Sequence, residues 1–131
     1  MERLRQRLRE TTAALKTLQE ALALAKLSPL ERDGTIQRFE FTFESFWKTA
    51  QIYLSLVESL TANSPKSCMR ALGEAGVFSA SEASRALAMA DDRNLTVHTY
   101  IESIAKKIYR QLPRHAALLE KGLEAMQRRL S

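Results

Sequence analysis

Arg93, Asn94, His98 and Tyr100 form the densest group of chemically capable side chains in the sequence, with Asp91 and Asp92 just ahead of them. An imidazole titrates near neutral pH and can give or take a proton. A guanidinium presents a planar fork that donates two parallel hydrogen bonds to a phosphate. On a helix, Asn94 and His98 stand at i and i+4 on one face, so the amide could orient the ring. The long Arg93 side chain reaches the same region. Such a set could cleave RNA without a metal, Arg93 stabilising charge on the phosphorane while His98 moves protons at the 2′ and 5′ oxygens. One histidine supplies only half of an acid–base pair, so this chemistry asks for a symmetric homodimer that joins two clusters. Plainer alternatives stay open on spacing alone. An arginine beside two aspartates is commonly a surface ion-pair cluster of small energetic weight, and a lone histidine is commonly structural.

The remaining residues narrow the chemistry. His98, His115 and Cys68 are the only histidines and cysteine, which falls short of the ligand set of a zinc site, and no metal or cofactor is expected. None of the glycines is followed by Lys-Ser or Lys-Thr, so the usual phosphate-binding loops are missing. Cys68 cannot form an internal disulfide and reads as a small buried hydrophobe in a reducing compartment. The opening MERLRQRLRE is too charged for a secretory signal, and no apolar run approaches the ~20 residues needed to span a bilayer. A cytoplasmic protein without a membrane partner is expected.

The elements that must position the cluster are helical. With 131 residues, 45% of them hydrophobic, and only 4 Gly and 3 Pro, the chain fits one helical domain better than a turn-rich β fold. The net charge of +5 arises from 20 basic against 15 acidic residues, spread without a block, so it is weak evidence for a polyanionic partner. Leu4, Leu8, Thr11, Leu15, Leu18, Leu22 and Ala25 alternate in steps of four and three, the mark of one narrow helical face. Pro29 and Gly34 then bracket a predicted loop. A second helix is predicted from an Asp33 N-cap to about Ala62, with Ile36, Phe39, Phe43, Phe46, Trp47, Ala50, Tyr53, Leu54 and Val57 as its core face. Ser64-Pro65 predicts the next start and Gly76 its stop, and Ser79 with Glu82 forms a capping box for the helix leading into the cluster. Ile101, Ile104, Ile108 and Leu112 continue the pattern, and Pro113 is expected to kink or break it. Beyond it, Ala116, Leu119, Leu123, Met126 and Leu130 share the four-three spacing of the first segment, beside which they are expected to pack.

Arg93-Asn94-x-x-x-His98-x-Tyr100 resembles the Arg-x4-His-x-Tyr motif of HEPN proteins that pair with minimal nucleotidyltransferases. Ile36-Gln37-Arg38-Phe39-Glu40-Phe41-Thr42-Phe43-Glu44 followed by Trp47-Lys48-Thr49 is similar to the second helix of that family. Ser64-Pro65-Lys66 and Ala75-Gly76-Val77-Phe78 fall where the family has a Ser-Pro turn and a short helix ending in Gly. The resemblance covers roughly residues 33 to 112. It implies a single HEPN-type domain over residues 1–131, all-α, an up-and-down antiparallel four-helix bundle with one or two short extra helices. It also implies a homodimer or higher homo-oligomer and a separate minimal nucleotidyltransferase chain as partner. Consistently, no Gly-Ser pair occurs here, so the Gly-Ser start of a transferase active site is missing from this chain.

Two functions follow from the resemblance. In the first, the chain is a ribonuclease toxin with RNA as substrate, Arg93 and His98 catalytic, Asn94 a polar support, and Tyr100 the residue to which an antitoxin nucleotidyltransferase adds AMP. In the second, it is a non-catalytic subunit presenting a substrate to the partner enzyme. A helical module that binds nucleic acid through its basic surface without chemistry is a third reading.

Overall fold

Serine capping starts three of the helices. Ser28, Ser64 and Ser79 each accept the backbone N–H three residues on, and the side chain at that position reaches back to the serine amide. In the computed structural model, which describes residues 1–24 and 27–130, the helices are α1 (Glu2–Leu22), α2 (Pro29–Val57), α3 (Pro65–Glu74), α4 (Ala80–Leu95) and α5 (Glu102–Arg128). A single 3-10 turn, Thr96–His98, lies between α4 and α5. No strand occurs among the described residues. Ala25, counted in the stripe of the first helix, lies outside them.

Three sequence expectations are corrected. The stretch from Pro29 to Gly34 is helix, not loop, and α2 opens at Pro29 rather than near Asp33. Ser28 Oγ accepts the Glu31 amide at 3.1 Å and Glu31 Oε1 accepts the Ser28 amide at 3.0 Å, with Pro29 preset for the first turn. Gly34 is tolerated inside the helix because its penalty there is only about 1 kcal/mol. At its other end α2 stops at Val57, short of Ala62, where Ser59 turns left-handed (φ 57°) and the Leu60 amide bonds back to Leu54 O at 2.9 Å. Finally, Pro113 does not break α5. Losing one helical hydrogen bond costs ~3 kcal/mol, but Ile108 and Leu112 before the proline and Ala116, Leu119 and Leu123 after it are all buried. Packing of that continuous stripe outweighs the local penalty.

The other expected boundaries hold. α3 starts on Ser64-Pro65 and closes at Gly76, whose φ of +76° lets the Val77 and Phe78 amides reach Leu72 O. α4 starts on the Ser79–Glu82 box.

Side-chain contacts give the register. Arg38 Nη1 donates to Thr17 O at 2.7 Å, while Thr11 Oγ1 lies 2.6 Å from Ser45 Oγ and 2.9 Å from Thr49 Oγ1, so α1 and α2 run antiparallel. Arg32 meets Glu102 and Phe39 stacks on His115, so α2 and α5 run parallel. Glu82 pairs with Lys121 and Asp92 with His115, which makes α4 antiparallel to α5. α5 also packs along α1, as expected from their shared spacing. Phe39, Phe43, Phe46 and Tyr53 of α2 are fully buried at the centre. Gly122 lets α5 approach Phe46 and Phe78, since a Cβ there would lie 2.7 Å from the Phe46 ring. Cys68 is fully buried, and burial pushes its thiol up to about 11, which makes it a packing residue.

Candidate functional site

The cluster sits where α4 gives way to the 3-10 turn. Arg93 occupies the last turn of α4, and its carbonyl accepts Thr96 Oγ at 2.7 Å, which helps end the helix. Thr96 is buried, whereas Val97 (63% exposed) and Tyr100 (80%) project into solvent. The segment is therefore anchored at Arg93 and Thr96 and open at its tip.

Arg93 is the anchored side chain, only 23% exposed. Its guanidinium does not pair with the neighbouring aspartates. It lies across α2, with Nη2 3.3 Å from Glu44 Oε1 and Nη1 3.9 Å from Glu40 Oε2, and Nη1 also donates to Thr96 Oγ1 at 3.4 Å. Glu44 is itself fixed, because Trp47 Nε1 donates to its other oxygen at 3.1 Å. Arg93 Nε is buried without a hydrogen-bond partner. Such an unpaired donor costs ~1–3 kcal/mol and marks a site where chain stability is not the only constraint.

The two aspartates serve other partners. Asp91 pairs with Lys66 of α3 at 2.5 Å. Asp92 Oδ2 is 2.7 Å from His115 Nε2, and the His115 ring stacks on Phe39 with centroids 5.3 Å apart. Three consecutive residues, Asp91, Asp92 and Arg93, thus tie the end of α4 to α3, α5 and α2.

His98 and Tyr100 come together on the exposed turn. The Tyr100 hydroxyl lies 3.4 Å from His98 Nδ1, and the rings meet edge to face with centroids 6.0 Å apart. The 3-10 turn interrupts the regular i, i+4 register between Asn94 and His98. Among the described residues Asn94 makes no hydrogen bond to the imidazole, whose ring-nitrogen contact is Tyr100. Among them, too, no three His, Cys, Asp or Glu side chains are grouped to hold a metal ion, and no helix is long and apolar enough to cross a membrane.

Chemically, the arrangement offers a water-accessible imidazole, an exposed phenol beside it, and a guanidinium neutralised by two carboxylates. Sequence reasoning missed Glu40, Glu44 and the Asp92–His115 pair as parts of this region. The available signal was the one-turn spacing of Glu40 and Glu44, which puts both on one face of α2.

Residues 6–128 match the family described as nucleotidyltransferase substrate binding protein like. The chain belongs to this family. Its structure is similar to a crystal structure of a protein from Thermus thermophilus, with 49% identity and a TM-score of 0.86 over 88% of this chain and 98% of that one. No match is found among curated proteins. As a member of the nucleotidyltransferase substrate-binding protein-like family, the chain is associated by family description with a nucleotidyltransferase. That association gives the exposed Tyr100 turn a context: a phenol 80% open to solvent is accessible to a second protein.

Proposed function

We propose that the chain is a HEPN-type ribonuclease toxin whose activity is silenced when a separate nucleotidyltransferase adds AMP to Tyr100. The observation that carries the reading is the exposed His98–Tyr100 pair, with the phenol 3.4 Å from the imidazole. AMP on that hydroxyl puts a phosphate and a nucleoside beside the proton-transferring ring, which blocks RNA from it. Arg93 is the phosphate-binding cation, His98 the proton carrier, and Asn94 a polar support at the site's edge. The active form is a homodimer, and the matching fold is an up-and-down bundle of α1, α2, α4 and α5 with α3 as the additional helix. The test incubates the chain with its partner transferase and ATP. Mass spectrometry should find an adenylyl increment that disappears in Tyr100→Phe, and the modified chain should lose RNA cleavage.

A second reading, a non-catalytic subunit that presents a substrate to the transferase, is favoured by the family description and by the Glu40–Arg93–Glu44 cluster. Two carboxylates already neutralise the one guanidinium. Under this reading the adenylyl group appears on another bound molecule, and Tyr100→Phe leaves its formation intact.

A further inference from the structure

We propose that Glu40 is the general base of RNA cleavage, working in the same chain as Arg93 and His98; this rests on the ribonuclease reading above. The two carboxylates at Arg93 are not equivalent. Glu44 has both oxygens engaged, one with Arg93 at 3.3 Å and the other with Trp47 Nε1 at 3.1 Å, so it holds the guanidinium in place. Glu40 touches Arg93 through one oxygen only, at 3.9 Å, and its side chain is 32% exposed. It is the contact that an incoming phosphate displaces, and displacement frees its carboxylate beside the bound phosphate.

Register puts Glu40 on the side of Arg93 where His98 lies. Arg93 faces Glu40 and Glu44, and further along the chain Glu102 pairs with Arg32 at 2.8 Å. Residues between 93 and 102 therefore pass along α2 from the Glu44 end toward Arg32. His98 falls beyond Arg93 in that direction, as Glu40 falls beyond Glu44.

The step balances with these groups alone. Glu40 takes the proton of the ribose 2′-hydroxyl as the 2′ oxygen bonds to phosphorus. The bond from phosphorus to the 5′ oxygen breaks, and a protonated His98 gives its proton to that leaving oxygen. Products are a 2′,3′-cyclic phosphate and a 5′-hydroxyl, with Arg93 neutralising charge on the phosphorane. A carboxylate base and an imidazole acid complete the pair within one chain, so two His98 side chains need not share a cleft.

The experiment is the pH profile of kcat/KM for cleavage of a mixed-sequence RNA oligonucleotide by the full chain and by Glu40→Gln, Glu40→Asp and His98→Ala. Glu40→Gln should lower kcat on the order of 100- to 10,000-fold and abolish the acidic limb of the profile. Its affinity for the same RNA carrying 2′-O-methyl groups should be unchanged. Glu40→Asp should keep the acidic limb at a reduced rate, and His98→Ala should lose the alkaline limb. Glu40→Gln cleaving at the parental rate with both limbs intact overturns the assignment while leaving the ribonuclease reading in place. A parent chain that cleaves no RNA overturns both. If circular dichroism finds Glu40→Gln unfolded, Glu40→Asp decides: a slower rate at unchanged RNA affinity supports the base, and the parental rate overturns it.

Discussion

The Tyr100 hydroxyl lies 3.4 Å from Nδ1 of His98, on a turn whose neighbours Val97 and Ile101 are also exposed. A phenol in that position is both reachable by another enzyme and close enough to obstruct the imidazole. Tyr100→Phe should therefore leave RNA cleavage by the unmodified chain near the parental rate but make it resistant to inhibition by the partner and ATP. Residual cleavage after incubation, compared between parent and variant, checks this.

The Asp92–His115 pair anchors the end of α4 to α5 through a hydrogen bond of 2.7 Å between side chains only 13% and 8% exposed. His115→Ala leaves the Asp92 carboxylate without its partner and removes the ring stacked on Phe39. The expected loss of stability is about 2–4 kcal/mol, combining an unsatisfied buried acceptor with lost packing. Urea unfolding measures it, as a lower midpoint at unchanged slope.

Gly122 is required by close approach, since a Cβ would meet Phe46 at 2.7 Å and Phe78 at 3.0 Å. Gly122→Ala should destabilise the fold by ~1–3 kcal/mol despite alanine's better helix propensity, because overpacking exceeds the propensity gain. A thermal melt showing a raised midpoint would contradict this packing account.

Three glutamates couple folding to pH. Lys121 and the Ser79 amide hold Glu82 below its ordinary range, Arg32 does so for Glu102, and the Ser28 amide and hydroxyl do so for Glu31. A carboxylate depressed in the folded state stabilises it fully above the unfolded value of about 4.3, and that contribution fades as pH falls through the lower folded value. Stability should therefore be flat near neutrality on this account and decline on acidification below that range. Glu82→Gln should make the decline shallower, as read from urea midpoints across acidic pH.

Much of the fold was legible because its punctuation is local. Ser64-Pro65, Gly76 and the Ser79–Glu82 box act within a few residues, and each does what its spacing predicts. The same capping pattern at Ser28-Pro29 and Glu31 was outweighed in sequence by Gly34, whose cost inside a helix is small. Pro113 misled for a different reason: buried residues on both sides hold α5 together, and that support is tertiary. At the site, the exposed turn with His98 and Tyr100 could be read from neighbouring residues. The partners of Arg93 could not, because Glu40 and Glu44 reach it from another helix, and the nearer Asp91 and Asp92 turn to Lys66 and His115.

The central claim is RNA cleavage by the residues of this turn, and the most direct test is an end-group assay on RNA incubated with the purified, unmodified chain. The parent should generate 2′,3′-cyclic phosphate ends, while Arg93→Ala and His98→Ala should each fall on the order of 100-fold or more. An unchanged far-UV spectrum for both variants would place the loss in chemistry rather than folding. No cleavage by the parent, or variants that match it, would contradict the account.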